Sequence, residues 1–237
     1  MPTWDEAADW YAQMATDPAL GYNALAVSVA VSLLGDVRGR EVLDLGCGEG
    51  QAARRLARAG ATVTGIDPTA RLIELAEAAE AREPLGIRYS VGRAECLDGL
   101  PDASTDAVCA VLVLHHTDPL EAAVAEVRRV LRPGGVLAAV IPHPAFDHPD
   151  AGWFEGGRYL GRYAEERHWS TTDGGPVRAV HHIGWHHRTL ATWLTALGGA
   201  GLRIERAAEP MGRDAGRPDG GGPWRDIPRF LALRCTA

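Results

Sequence analysis

The chain has 237 residues, 46% hydrophobic and 23% charged, which suits a soluble enzyme of one domain with a substantial core. Its net charge of −7 is uneven: residues 1–144 hold 20 acids and 12 arginines and residues 145–237 hold 11 and 12, so there is no basic footprint for DNA or RNA and no nucleic-acid partner is expected. There is no lysine, which excludes a Walker lysine, a Schiff base and pyridoxal-phosphate chemistry, and no G-x-S-x-G elbow of a serine hydrolase.

In chain order, helices are predicted at 4–15 and 22–34, forming an N-terminal helical cap over residues 1–35. A strand follows at 41–46, a helix at 50–59, a strand at 62–66, a helix at 69–82, strands at 87–91 and 106–113, a helix at 118–131 and a strand at 135–141. Strands alternating with helices predict an α/β fold with a parallel sheet and helices on both faces. The stops agree: Gly60 ends one helix, Pro84 and Gly86 follow another, and Pro133-Gly134-Gly135 ends a third. From 142 to 187 aromatics, histidines and glycines lose clean periodicity, which predicts a lid or substrate insertion inside a single domain spanning 1–237. A helix capped by Thr189 fits 189–199, and strands at 202–208 and 229–235 close the chain around a flexible stretch marked by Gly220, Gly221 and Gly222.

Cys47, Cys96, Cys109 and Cys235 lack C-x-x-C spacing and read as reduced, mostly buried thiols. No signal-peptide pattern or membrane-length apolar run is visible, so a cytoplasmic protein without a membrane partner, monomer or homodimer, is expected.

The most informative stretch is VLDLGCGEG, residues 42–50, with Asp67 at the end of the next apolar run. An apolar strand running into Gly46, Gly48 and Gly50 lets backbone approach a ligand, and the following helix offers unpaired N–H groups. The spacing is G-x-G-x-G, with Gln51 where a dinucleotide fingerprint places its third glycine. Asp44 before the bend and Glu49 within it would repel a pyrophosphate and suit a cationic ligand. On these residues, and on LRPGG at 131–135, the chain resembles the class I S-adenosylmethionine-dependent methyltransferases. That resemblance implies a Rossmann-like seven-stranded sheet with its last strand antiparallel, a lid inserted after the fifth strand, and S-adenosyl-L-methionine as cofactor, released as S-adenosyl-L-homocysteine.

Asp67 lies about twenty residues beyond the first glycine, where a carboxylate accepts hydrogen bonds from a ribose diol; capping the helix near Thr69 is the alternative. The resemblance implies that the backbone around Gly46, Cys47 and Gly48 faces the ligand, with Pro68 beside the ribose and Asp44 helping to hold the ammonium. It transfers the adenine contacts to Ala94 and Glu95, although Glu95 also reads as a solvated loop acid. Leu112 and Val113, at the end of an apolar strand, are expected against the cofactor, with ordinary core packing as the alternative. Tyr11 and Tyr22 are expected to fold over it, or to pack their helices.

Methyl transfer to a small-molecule acceptor is an in-line displacement, so the protein needs chiefly alignment and exclusion of water, and a base only where the acceptor must lose a proton. Histidine is the natural base. The candidates are His143, directly after the fifth strand, and His187 in the His187-Arg188 pair before the later helix; the acceptor is expected to meet His116, His143, Tyr159, His187 and Arg188. HHIGWHH at 181–187 invites a metal hypothesis, but as a strand neither face offers three ligands, and no metal is expected. The resemblance thus implies a methyltransferase acting on oxygen or nitrogen of a metabolite in biosynthesis. Retained fold and cofactor with non-methylating chemistry such as cyclisation, a binding module, and a nicotinamide-dependent oxidoreductase are the alternatives.

Overall fold

The computed structural model describes residues 3–16, 22–148, 150–154, 157–170, 183–211, 214 and 225–237; the glycine stretch at 220–222 and His181 and His182 lie outside them. Strands β1 (Glu41–Leu45), β2 (Thr62–Asp67), β3 (Arg88–Val91), β4 (Thr105–Val111) and β5 (Leu131–Pro142) pair in parallel. Four more strands, β6 (Ala151–Phe154), β7 (Gly157–Leu160), β8 (Arg167–Trp169) and β9 (Trp185–His187), belong to the insertion. They form two small antiparallel pairs, β6 with β7 and β8 with β9. The chain then returns through β10 (Arg203–Ala208) and β11 (Phe230–Thr236), and β11 enters between β5 and β10 antiparallel to both. The main sheet is ordered β10-β11-β5-β4-β1-β2-β3.

Among the described residues it is accompanied by the helices α1 (Trp4–Thr16), α2 (Tyr22–Leu34), α3 (Gln51–Arg58), α4 (Ala70–Arg82), α5 (Leu120–Val130) and α6 (Leu190–Gly199). The apolar runs of β1, β4 and β5 are continuous because helices cover both sheet faces. Alternate residues divide between the layers. Leu43, Leu45, Val108, Ala110 and Leu137 join Val124, Val127 and Trp193 of α5 and α6. Val42, Ala107, Cys109, Val136 and Ala138 join Ala26, Ala30, Ala53 and Leu56 of α2 and α3. Phe230, fully buried at the start of β11, packs against the Tyr22 ring with centroids 4.4 Å apart, which ties α2 to the sheet.

Most element limits fall within a residue or two of expectation, and three strand limits shift for a local structural reason. The first strand stops at Leu45, because Gly46 leaves the sheet with φ +67°. The fourth stops at Val111, because Leu112 takes φ +54° and donates its N–H to Val140 O at 2.8 Å. LRPGG does not precede the fifth strand but lies within it: Leu131 pairs with Thr105, and pairing resumes at Val136 with Ala107, so the intervening residues bulge out. Cys47, Cys109 and Cys235 are buried and Cys96 is exposed, all four as free thiols. Among the described residues no helix is long and apolar enough to cross a membrane.

Candidate active site

The carboxyl ends of β1, β2, β4 and β5 face one crevice, where ligands bind in open sheets of this kind. The Gly46 and Cys47 N–H groups donate to Ile66 O at 2.7 and 3.1 Å, folding the bend onto the end of β2. A side chain at Gly46 would lie 2.4 Å from Val113, so the bend and the end of β4 close on each other only because that position has none. Two adjoining clefts meet at Gly46. One is lined by Tyr11, Asn23, Asp44, Gly48, Glu49 and Leu112. The other is lined by Trp4, Pro68, Ala94, Glu95, Val113 and His116.

Acids dominate the first cleft. Asp44 is 1% exposed; one carboxylate oxygen has no hydrogen-bond partner, while the Ala53 N–H donates to the carboxylate. Burial, reinforced by Asp67 and Glu49, pushes its pKa up to about 7. Burial also raises Glu49 to about 7, with the charge of Asp67 adding to it. Asp67 is raised by burial too, while its Oδ2 accepts from Gly48 N at 3.0 Å and its Oδ1 from Thr69 N at 2.9 Å. Among the described residues none of the three has an ion pair, and such a cluster is stabilised by a cation rather than a phosphate. Cys47 contributes its backbone, its thiol donating weakly to Gly48 O at 3.7 Å.

In the second cleft Ala94 is buried and Pro68 is exposed at the rim. Glu95 is not a free loop acid: its Oε1 accepts from Arg93 Nη2 and from Asp118 N, both at 3.3 Å. Tyr11 receives a hydrogen bond from Asn23 Nδ2 at 3.3 Å and borders the bend. Tyr22, expected over the cofactor, lines neither of these two clefts. Its hydroxyl donates to Asp147 Oδ2 at 3.1 Å and its ring packs on Phe230, a pairing that only the late β11 creates.

A third cleft, at the ends of β4 and β5, is lined by His115, His143, Asp147, His186, His187 and Arg188. His143 Nδ1 accepts from the Ala145 and Phe146 N–H groups at 3.2 Å, so Nε2 carries the proton and donates to Glu209 Oε1 at 2.8 Å. Both nitrogens are thereby engaged. His187 Nε2 donates to Tyr163 O at 2.7 Å, which leaves the lone pair on Nδ1, and burial lowers its pKa. Arg188 Nη2 donates to Thr117 O at 2.7 Å and to Asp118 Oδ1 at 3.1 Å.

Two expected acceptor residues lie elsewhere. His116 lines the second cleft beside Trp4, with ring centroids 5.1 Å apart, because the short 3₁₀ turn at Leu114–His116 rotates the neighbouring His115 toward Arg188 instead. Burial holds His116 down at about 4. Tyr159 is exposed on the β6–β7 hairpin, its ring lying over Gly152 on the paired strand. Among the described residues no three metal-ligating side chains come together, and His181 and His182 are outside them. The sequence offers no signal for Trp4 or Glu209, and it marks Asp147 only as a candidate metal ligand of the lid; Asp147 and Glu209 reach the site through contacts 125 and 66 residues long, which no local pattern signals.

Residues 43–139 match the family model described as a methyltransferase domain. A solved S-adenosylmethionine-dependent methyltransferase from Mesorhizobium loti aligns with a TM-score of 0.77 at 28% identity, covering 92% of this chain and 100% of that one. Over residues 43–139 the chain is thus similar to the methyltransferase-domain family, and over most of its length to an S-adenosylmethionine-dependent methyltransferase of solved structure. The unpartnered Asp44 oxygen and the carboxylates without an ion pair among the described residues fit the ammonium and sulfonium charges of S-adenosylmethionine, the cofactor named for that structural neighbour. A demethylmenaquinone methyltransferase from Tropheryma whipplei is 36% identical over 120 residues, 51% of this chain and 47% of its own. A ubiquinone biosynthesis O-methyltransferase from Methylocella silvestris is 41% identical over 103 residues, 44% of this chain and 40% of its own. The matches thus span about half the length of these curated relatives or less.

The packing at the bend generates a direct test. Gly46→Ala should lower Tm by roughly 2–8 °C, from the cost of about 1–2 kcal/mol for a left-handed alanine, and by more to the extent that Val113 cannot yield. Thermal unfolding of Gly46→Ala and of the Gly46→Ala/Val113→Ala pair checks this: the second change should recover part of the loss.

Proposed function

We propose that this enzyme transfers a methyl group from S-adenosylmethionine to an oxygen or nitrogen of a small-molecule metabolite, in the cleft at the ends of β4 and β5, with residues 142–187 as its lid. The observation that carries the reading is the trio Asp44, Glu49 and Asp67, enclosed around a glycine bend without a cation to balance it. The bound cofactor supplies an electrophilic methyl group on a sulfonium.

The chain's residues bind and orient. Asp44 offers its unpartnered oxygen to the ammonium. Asp67, already holding the bend through Gly48, keeps lone pairs for the ribose diol. Ala94 and Glu95 serve the adenine, Val113 packs against the bend, and Tyr11 covers the amino-acid end. Leu112, turned by its positive φ, brings the end of β4 to the bend. On the acceptor side His187 is the better-placed base, because its free lone pair and depressed pKa leave it able to accept a proton at neutral pH. His143 acts in this arrangement by holding Glu209 and the first turn of the insertion. The curated relative named for O-methylation supports oxygen as the acceptor atom.

Asp67→Ala should weaken S-adenosylhomocysteine binding by about 1.5–3 kcal/mol, the scale of charge-assisted hydrogen bonds, in calorimetric titration; an unchanged Kd removes the ribose assignment. The pH dependence has a definite sign. With Asp44 and Glu49 raised to about 7 from ordinary values near 4, their contribution to the stability of the ligand-free fold is present below about pH 4 and is lost as pH rises through 7. A cationic ligand needs the ionised forms, so affinity should increase from pH 5.5 to 8 and binding should release protons at pH 7. Titration in buffers of different ionisation enthalpy reads both, and a flat profile counts against the trio. His187→Ala should reduce turnover of a methylated acceptor by roughly 10²-fold or more while sparing the Kd for S-adenosylhomocysteine, measured by mass spectrometry of the product and by calorimetry.

A further inference from the structure

The acceptor cleft contains a cation that the fold only half partners. Arg188, directly after β9, is 9% exposed. Its Nη2 is fully employed on Thr117 O and Asp118 Oδ1, but Nη1 is buried and has no hydrogen-bond partner. His115 Nδ1 is a second buried nitrogen without a partner, and both residues line this one cleft. Buried polar groups are ordinarily satisfied, and those left open call for a ligand or water to complete them.

The surroundings say what kind of ligand. Asp118, the only acid ion-paired with Arg188 among the described residues, is 63% exposed, so solvent screens it, and Glu121 and Glu166 act on the guanidinium only through longer-range attraction. Asp147 lines the cleft too, but its Oδ2 is committed to the Tyr22 hydroxyl at 3.1 Å and to Arg229 at 3.5 Å. His143 is committed to Glu209. Burial lowers the pKa of His115, His186 and His187, so the imidazoles facing Arg188 are neutral and neither repel nor replace its charge. The unpartnered Nη1 of a guanidinium offers charged N–H donors suited to a carboxylate oxygen.

We infer that Arg188, assisted by His115, is an anion anchor for the methyl acceptor, and that the acceptor class is a metabolite bearing a carboxylate. This rests on the proposed function and names the substrate class of that site. Topology supports the placement. His115 follows β4 and His143 follows β5, and β4 lies between β5 and β1, so the anchor stands one strand away from the glycine bend. A carboxylate held on Arg188 leaves the remainder of the acceptor directed along the strand ends toward the cofactor.

The test uses the full chain loaded with S-adenosylhomocysteine. The probes are benzoate, 4-hydroxybenzoate and indole-3-carboxylate, each compared with its neutral primary amide by ligand-observed NMR titration. The wild type should bind at least one acid ten-fold or more tighter than its amide. Arg188→Gln should reduce that preference to less than two-fold, Arg188→Lys should retain part of it, and both should bind S-adenosylhomocysteine within two-fold of wild type. Asp118→Asn, which strips the exposed counter-charge, should tighten the acids several-fold; it carries the test should Arg188→Gln fail to fold, and unchanged or weaker acid binding there overturns the anchor. The anchor is likewise overturned if the wild type binds no acid better than its amide, or if folded Arg188→Gln keeps the preference. A wild type that does not bind S-adenosylhomocysteine at all sinks the methyltransferase function instead, so the two failures are distinguishable.

Discussion

Asp44, Glu49 and Asp67 crowd the carboxyl ends of β1 and β2, and no ion pair among the described residues relieves them. What keeps them there is backbone: the N–H groups of Ala53, Gly48 and Thr69 donate to Asp44 and Asp67. Such bonds favour the ionised forms, while burial and mutual repulsion oppose them, and for all three acids the opposition prevails. The ligand-free site therefore holds negative charge at a cost that a cationic ligand removes. That imbalance directs the bend toward a sulfonium nucleoside and away from a diphosphate.

Holding acids at such a bend requires close-packed backbone. Gly46 places the chain against Val113, and Gly50 opens α3 against the Tyr89 hydroxyl, which would lie 2.4 Å from any side chain at that position. From the other side Leu112 turns in the left-handed region and is secured by its hydrogen bond to Val140, so β4 ends where the bend begins. β5 and the returning β11 then bring Phe230 beneath Tyr22, whose hydroxyl meets Asp147 of the insertion. One path of contacts thus runs from the sheet core to the wall of the acceptor cleft.

That cleft divides its work by tautomer and charge. The two backbone N–H groups on His143 Nδ1 fix its proton on Nε2, facing Glu209, whereas the carbonyl of Tyr163 fixes the proton of His187 on Nε2 and leaves Nδ1 basic. Two histidines that look alike in sequence hold opposite capacities for proton transfer. Arg188 adds a fixed charge with one buried, unpartnered nitrogen, and in the proposed function recognition of an acceptor and its activation fall to neighbouring residues of one segment.

The alternation of apolar runs with amphipathic stretches and the glycine spacing at 46, 48 and 50 are local patterns, and they suffice to predict the strand and helix order and the bend. Strand ends were misread at Gly46 and Leu112 because a positive φ leaves no periodic trace, and the bulge at LRPGG because pairing with β4 decides where β5 begins. The acceptor side was much less legible. Whether Tyr22 faces cofactor or lid, which of His115 and His116 turns toward Arg188, and which histidine keeps a free lone pair depend on partners such as Asp147 and Glu209 far along the chain. Periodicity and composition are set by neighbours in sequence, whereas hydrogen-bond partners and buried charge are set by neighbours in space, and only folding brings those together.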